Sequence, residues 1–226
     1  MSKIVLYHGS QEVVRKPLFK HGKVFNDYGQ GFYLTENIEL AKEWGPLDNS
    51  LGYVNEYLLD CKDLKILNLL SSKYNVLNWL AILIDNRKID LKLPIQMQGK
   101  EYILSHFLPN YKDYDLIIGY RADDAYFSFV RYFLNNRITI SQLSQAMKLG
   151  KLGEQYFLQS EKAFKKISFQ NAYKIDDIKY FKNRIKRDEE ARSKFNTLIN
   201  TPDINGLYLI DIIREGITND DERISR

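Results

Sequence analysis

The 226-residue sequence is poor in the residues that build cross-links and metal sites. Its single cysteine, Cys61, cannot form an internal disulfide bond, and its three histidines are not grouped with that cysteine at the spacing of a zinc site. We therefore expect no metal. Long apolar runs are also missing, since no stretch approaches the roughly 18 residues of a membrane-spanning helix, and no cleavable leader is expected. These absences predict a cytoplasmic protein without a membrane partner.

The balance of apolar and charged residues is that of an ordinary folded domain. Hydrophobic residues make up 44% of the chain and charged residues 27%, which excludes extended disorder. A net charge of +4 is compatible with an anionic ligand but is too small by itself to indicate nucleic-acid binding. Because the chain shows no internal repeat and no linker-like composition, we predict a single domain over 1–226.

Residue patterns near the start of the chain predict two strands and a helix. Residues 3–8 form a short β-branched and aromatic run, and the turn residues 9–10 end it. A second strand is expected at 31–35, after a loop that contains glycine. The helix that follows should cover 36–44, with Thr35 as its N-cap.

Strand and helix signals alternate through the rest of the chain. We expect a helical insertion over about 73–149 and further helices over about 176–216. The basic run 182–187 on the latter is interpreted as a solvated helix face. Further strands are predicted at 53–59, 64–70, 116–120 and 155–159, with 166–173 as the neighbour of the last one in its sheet.

Three motifs carry residues suited to ligand binding: Tyr-His-Gly-Ser at 7–10, Gly-Gln-Gly-Phe-Tyr-Leu-Thr at 29–35, and Trp44. A histidine at a strand end can hydrogen-bond a ligand hydroxyl, and a glycine beside it lets the backbone approach that ligand closely. Tyr33 and Trp44 can supply flat walls for a planar, positively charged ring. The alternative reading is that both are ordinary core aromatics.

The order of these motifs resembles the donor site of ADP-ribosyltransferases of the diphtheria-toxin and poly(ADP-ribose) polymerase branch. In that branch a histidine precedes Gly-Ser/Thr, a Gly-x-Gly-Ile-Tyr-Phe strand follows, and a second tyrosine comes one helix later. His8, Tyr33 and Trp44 fall on these three places. The resemblance is closest to an uncharacterised bacterial branch, whose members carry a segment similar to Arg121–Phe127. Direct motif support covers about a third of the chain.

This resemblance implies an α+β fold with the split antiparallel β-sheets of an ADP-ribosyltransferase, elaborated by helical insertions, and a cleft that holds NAD. His8 would hold the adenosine-side ribose, and the backbone of Gly9 would clasp the nicotinamide carboxamide. Tyr33 and Trp44 would sandwich the nicotinamide ring. Arg121 is expected either at a ligand, as a contact to the NAD pyrophosphate or to the acceptor, or in a buried salt bridge. The implied NAD-binding set is His8, Gly9, Ser10, Gly31, Tyr33, Trp44 and Arg121.

The family usually completes its site with a glutamate on a late strand, bound to the nicotinamide-side ribose. Here the matching strand begins Gly153-Glu154-Gln155, and alternation along the strand favours Gln155 at that place. A slip of one residue would substitute Glu154. A neutral amide can bind the hydroxyl but cannot act as a general base, which disfavours polymer elongation and favours a single transfer.

Taken with the resemblance, these residues predict NAD-dependent mono-ADP-ribosyl transfer to a macromolecule, either a protein or a nucleic acid. The expected catalytic set is His8, Tyr33 and Gln155, and the biological setting would be a bacterial toxin or defence effector. Two alternatives stay open. One is an NAD glycohydrolase, in which water is the acceptor, and the other is a catalytically inactive NAD-binding or interaction module.

Overall fold

The computed structural model describes residues 3–46, 51–121, 124–151, 153–175 and 179–224. Over these ranges the chain folds into two β-sheets with helices packed around them, so the predicted α+β class is confirmed. The strands are β1 Lys3–Ser10, β2 Phe32–Leu34, β3 Gly52–Asp60, β4 Ile66–Asn68, β5 Leu116–Tyr120, β6 Glu154–Leu158 and β7 Ile167–Ile175. The helices are α1 Ile38–Trp44, α2 Val76–Asn86, α3 Pro94–Phe107, α4 Asp124–Leu134, α5 Ile140–Ala146, α6 Glu161–Lys166, α7 Lys179–Ile199 and α8 Leu209–Arg214.

The two sheets meet close to the start of the chain. One has the strand order β1-β3-β7 and is antiparallel, and the other has the order β2-β6-β5-β4, in which only β4 and β5 run parallel. Tyr7 on β1 and Thr35 after β2 exchange backbone hydrogen bonds of 2.8 and 3.0 Å, which join the sheets. This bridge places the residue after Tyr7, His8, beside the second sheet.

One predicted strand pairing is wrong. Residues 166–173 were expected beside 155–159, but β7 pairs with β3, and β6 lies between β2 and β5. The intervening helix α6, capped by the Ser160 hydroxyl, redirects the chain from one sheet to the other. Alternating hydrophobicity indicates which face of a strand is buried but does not identify its neighbour.

The predicted N-cap of α1 is also wrong. The helix begins at Ile38, and the Asn37 side chain accepts from the backbone N–H groups of Glu39 and Leu40 at 3.0 and 3.3 Å. Thr35 is instead held in the bridge between the sheets. Helix α1 lies close to β1 at Gly9, where an added Cβ would come 2.0 Å from the carbonyl oxygen of Ala41.

The main hydrophobic core lies among the helices of the middle region. Helix α2 is buried along most of its length, and Trp79 lies in its first half. Within the predicted helical insertion, Pro94 begins α3 and Gly99 lies inside it. Gly99 leaves room for Leu209 of α8, which an added Cβ would approach to 2.4 Å. Of the helices in the described ranges, none combines the length and apolar character needed to cross a bilayer.

The long helix α7 packs through one narrow face. Ala191 and Phe195 are buried on that face, and the Phe195 ring stacks on Phe129 of α4 with the ring centroids 4.0 Å apart. Arg187, one turn before Ala191, pairs with the buried carboxylate of Glu43 on α1. These contacts hold α7 against both α1 and the core, alongside the junction of the two sheets.

Candidate functional site

A cleft of about 680 Å³ opens at the junction of the sheets, between α1 and α7. It is lined by residues that are far apart in sequence, including three from the end of β1, one from β2 and one from β6. Six of the residues that the sequence assigned to NAD binding or catalysis line it together: His8, Gly9, Tyr33, Trp44, Arg121 and Gln155. Two others, Ser10 and Gly31, are not part of its lining.

His8 enters the cleft as a neutral imidazole. Its Nδ1 lies 2.8 Å from the carbonyl oxygen of Tyr33, and because a carbonyl oxygen only accepts, Nδ1 carries the hydrogen. Burial lowers the pKa of His8, and the nearby Arg121 lowers it further, against the opposing effect of the hydrogen bond to Tyr33. In this tautomer Nε2 is an acceptor, suited to a ligand hydroxyl.

Tyr33 is fixed in place through its hydroxyl group. The hydroxyl donates to the carbonyl oxygen of Gly29 at 2.6 Å and accepts from the backbone N–H of Tyr28 at 3.1 Å. Its ring packs on Phe157 with the centroids 4.8 Å apart. Burial raises the pKa of Tyr33 far above its ordinary value, so the side chain is a neutral phenol with a rigid ring at the cleft wall.

Gln155 and Glu154 point to opposite sides of β6. The Gln155 side chain lines the cleft, with 5% of the residue exposed, whereas Glu154 is exposed at the start of the strand, where its carboxylate lies 3.5 Å from the Tyr156 hydroxyl. The Oε1 atom of Gln155 is buried and has no hydrogen-bond partner among the residues that the structure describes. A buried acceptor left unpaired is costly unless a ligand donates to it.

Trp44, the last residue of α1, lies under two guanidinium groups. Those of Arg121 and Arg184 lie 4.7 and 4.4 Å from the ring centroid. Both distances are within the range of a cation–π interaction. The indole Nε1 is buried, with no hydrogen-bond partner in the described part of the chain. Trp44 thus presents an aromatic ring at the cleft, and in this structure two arginine guanidiniums lie over it.

Gly9, Ser10 and Gly31 have packing or hydrogen-bonding roles that the sequence did not indicate. Gly9 lines the cleft and also admits the backbone of α1. The Ser10 hydroxyl donates to the carbonyl oxygen of Glu12 at 2.6 Å and accepts from the Asn55 amide at 2.9 Å. Gly31 lies against β6, where an added Cβ would come 2.4 Å from the carbonyl oxygen of Leu158.

Sequence reasoning missed a buried ion pair in the cleft. Asp27, 4% exposed, pairs with Arg87 at 2.5 Å, and both residues line the cleft. Asp27 lies in the glycine-bearing loop before β2, and Arg87 directly follows α2. The two residues are sixty positions apart, and no local pattern pairs them.

Helix α7 supplies one wall of the cleft through a set of residues that we call the cleft-facing stripe. Its residues recur every three or four positions, which places them on one helix face. The interpretation of 182–187 as a solvated helix face holds for Lys182 and Lys186, which are exposed. It is wrong for Arg184, which lies over the Trp44 ring, and for Arg187, which forms an ion pair with Glu43. The same periodicity, read from the sequence, could have revealed the stripe. It consists of Phe181, Arg184, Ile185, Asp188, Glu189 and Arg192.

The electrostatic character of the cleft is mixed. Buried Glu43 faces Arg187, Arg121 and Arg184, and burial raises its pKa against the lowering effect of these guanidiniums. The described ranges hold no group of three or more His, Cys, Asp or Glu side chains placed to bind a metal ion.

Comparison with known proteins places the chain in a family. Residues 4–169 match the family described as "Protein of unknown function (DUF3990)". The chain belongs to this family. No curated protein and no solved structure gave a significant match. The DUF3990 match covers β1 to the start of β7, including His8, Tyr33, Trp44 and Gln155, and it ends before α7.

Proposed function

We propose that this chain is an NAD-dependent mono-ADP-ribosyltransferase with the split-sheet fold of that superfamily. One observation carries the proposal. His8, Tyr33, Trp44 and Gln155 come from four separate elements and line a single cleft, where the buried Gln155 Oε1 has no hydrogen-bond partner among the described residues. These are the residues that the motif resemblance assigned to NAD, and the arrangement of the two sheets around them is compatible with the proposed fold.

The reaction requires positioning and charge stabilisation more than acid–base chemistry. The bond between ribose C1′ and the nicotinamide nitrogen breaks, and its electron pair leaves with neutral nicotinamide. A bond then forms from an acceptor nucleophile to C1′, and the acceptor proton passes to solvent. Because positive charge develops on the ribose, orienting dipoles aimed at it lower the barrier.

The cleft residues suit the parts of NAD in different ways. The acceptor Nε2 of His8 and the Oε1 of Gln155 can each take a hydrogen bond from a ribose hydroxyl. Arg87, Arg121 and Arg184 place guanidinium groups along the same cleft, as an anionic pyrophosphate requires. Nicotinamide can stack on a face of Trp44 only if the guanidinium covering that face moves aside.

The decisive experiment follows the ADP-ribose part of the donor. The protein is incubated with a cell lysate and NAD labelled in its adenylate phosphate. Label on protein or nucleic acid supports the transferase, free labelled ADP-ribose indicates NAD hydrolysis instead, and intact NAD refutes both activities and favours a non-catalytic module.

Two adjacent variants test the Gln155 assignment. Gln155→Ala is expected to lower turnover by about 100-fold with little change in NAD affinity, because its contact matters chiefly in the transition state. Gln155→Glu is expected to raise NAD cleavage, since a carboxylate stabilises an oxocarbenium ion better than an amide does. Glu154→Ala is the control, and the assignment is wrong if Glu154→Ala abolishes turnover while Gln155→Ala retains it.

Replacement of Trp44 tests the aromatic wall. Trp44→Ala should weaken NAD binding by about 1–3 kcal/mol, through loss of stacking and cation–π attraction. Calorimetric titration with NAD measures this, and a thermal melt of the same sample reports folding. A variant that melts early but binds NAD as tightly as the parent would show that Trp44 is only a packing residue.

A further inference from the structure

A strongly basic loop leads from β1 toward the mouth of the cleft. We call residues 12–25 the basic loop. It contains four lysines and arginines, Arg15, Lys16, Lys20 and Lys23, and one acidic residue, Glu12, so it carries +3 of the net +4 of the whole chain. Lys23 also lines the cleft. A segment of net positive charge therefore lies beside the candidate site.

Exposed apolar side chains alternate with these charges. Leu18, Val24 and Phe25 are each more than half exposed, and Phe19 is 39% exposed. Ammonium groups lie over both phenyl rings, that of Lys88 at 4.1 Å from the Phe25 centroid and that of Lys20 at 5.5 Å from the Phe19 centroid. Charge and aromatic ring thus occur side by side at two exposed places in the basic loop, of which Phe19 also packs edge-on against Phe164 with the ring centroids 5.6 Å apart.

The backbone of the basic loop is held at several points. Near its start, the Val14 N–H donates to the buried Asn55 side chain at 2.8 Å, and the Val14 carbonyl oxygen accepts from the Tyr57 hydroxyl at 2.5 Å. Further on, the Gln30 amide donates to the carbonyl oxygens of Lys20 and Gly22 at 2.9 and 3.2 Å. The exposed rings and cations are presented on an anchored scaffold.

We propose that the basic loop binds single-stranded nucleic acid and presents it to the cleft as the ADP-ribose acceptor. The inference of an acceptor rests on the proposed transferase function. Phosphates pair with the lysines and arginine, while unpaired bases stack on the exposed phenyl rings, a combination that tolerates many sequences. A strand that contacts Lys23 already reaches the cleft wall. In a duplex the base faces are covered by stacking, so the rings favour single strands.

The close cation–ring pairs also favour nucleic acid over a lipid surface. Inserting Phe25 or Phe19 into the acyl region of a bilayer would carry the ammonium groups above those rings out of water, which is costly. A nucleic acid strand supplies phosphate for the ammonium and a base for the ring within one nucleotide. Anionic vesicles therefore serve as a comparison arm in the test.

The first experiment measures binding without NAD, using the full chain and fluorescence anisotropy. The probes are a labelled single-stranded 15-nucleotide oligomer, as RNA and as DNA, and the duplex of the same length. Binding to vesicles with one third phosphatidylserine is followed by co-sedimentation. We expect single strands to bind at least tenfold more tightly than the duplex, with little vesicle binding. Equal duplex affinity, or binding to vesicles alone, would overturn the proposal.

Two variants separate the contributions of charge and stacking. Lys20→Ala combined with Lys23→Ala should weaken binding by at least tenfold at low salt and reduce its salt dependence. Phe25→Ala should weaken binding about tenfold while the salt dependence stays the same. The matched control removes two exposed lysines that do not line the cleft, Lys73→Ala with Lys194→Ala. If the control weakens binding as much as the loop variant does, the basic loop is not the site.

A second experiment adds labelled NAD to the bound oligomer and keeps the two proposals apart. The acceptor inference is supported if the parent protein labels the oligomer and the Lys20→Ala, Lys23→Ala variant does not. Oligomer binding without any NAD cleavage refutes the transferase and with it the acceptor role of the strand. If the protein transfers label to other proteins but neither binds nor labels the oligomer, the transferase proposal is supported and the nucleic-acid acceptor is refuted.

Discussion

The ion pair between Glu43 and Arg187 makes the stability of this protein dependent on pH in a predictable way. Glu43 on α1 is 4% exposed, and the Arg187 side chain on α7 is 22% exposed. Replacing Arg187 with methionine keeps most of the side-chain length and removes the charge. The variant leaves a buried carboxylate without its nearest cation.

The cost can be worked out from the burial of the two partners. Removing one member of a fully buried pair destabilises a protein by about 3–5 kcal/mol. Arg187 is partly exposed, and Arg121 and Arg184 still face Glu43, so we expect Arg187→Met to cost about 2–3 kcal/mol at pH 7.5. For a chain of this size that corresponds to a fall in melting temperature of roughly 4–12 °C.

The pH dependence follows from the direction of the pKa shift. Burial raises the pKa of Glu43 above its value in the unfolded chain, so its contribution favours folding at low pH and is lost as pH rises through the folded pKa. Removing Arg187 takes away the strongest lowering influence and raises that pKa further. The stability difference between variant and parent should therefore be largest near pH 7.5 and should shrink toward pH 5.

Urea unfolding followed by circular dichroism measures these differences at both pH values. Glu43→Gln in the Arg187→Met background supplies the control, because a neutral amide removes the buried charge. We expect the double variant to be more stable than Arg187→Met alone at pH 7.5, and its difference from the parent to vary little with pH. An Arg187→Met protein that unfolds at the parental urea concentration at pH 7.5 would refute the reasoning.

Three further predictions concern the first sheet and the cleft. Gly9→Ala should destabilise the protein by about 3 kcal/mol or more, because the new methyl would collide with the Ala41 carbonyl oxygen, and a parental urea midpoint would contradict this. Asn55→Ala should lower the free energy of unfolding by about 1–3 kcal/mol, because it leaves the Val14 N–H without its acceptor. Asn55→Asp keeps an acceptor for that N–H, so the loss at this contact should be smaller. Burial lowers the pKa of His8, so the imidazole should titrate below pH 6.5 in NMR spectra. Because the unfolded chain then binds a proton more readily than the folded protein, stability should fall from pH 7 to pH 5 more in the parent than in His8→Gln. An NMR midpoint at or above 6.5 would exclude this environment for His8.

Local patterns in the sequence located several parts of the fold correctly. The strand at 116–120 was predicted with its observed bounds, and alternation along β6 separated Gln155 from Glu154 onto opposite sides. Both results depend only on neighbouring residues. The grouping of His8, Tyr33 and Trp44 came instead from the resemblance of the motif order to ADP-ribosyltransferases, and all three residues line the cleft.

Features that depend on distant partners could not be predicted in this way. Thr35 has the chemistry of an N-cap, but its backbone is engaged with Tyr7 on another sheet, so Asn37 takes that role. Arg87 and Asp27 meet only once α2 and the loop before β2 are folded together. The placement of the stripe on α7 likewise depends on the packing of that helix against α1 and α4.

The boundary of the family match before α7 has a consequence for how the shape of the cleft can change. One wall of the cleft belongs to the matched stretch, and the opposing wall comes from a helix that follows it. Sequence drift in that helix can reshape the entrance, alter its charge or uncover the Trp44 ring without altering any residue on the other wall. Selection can therefore tune access to the cleft separately from the groups at its base.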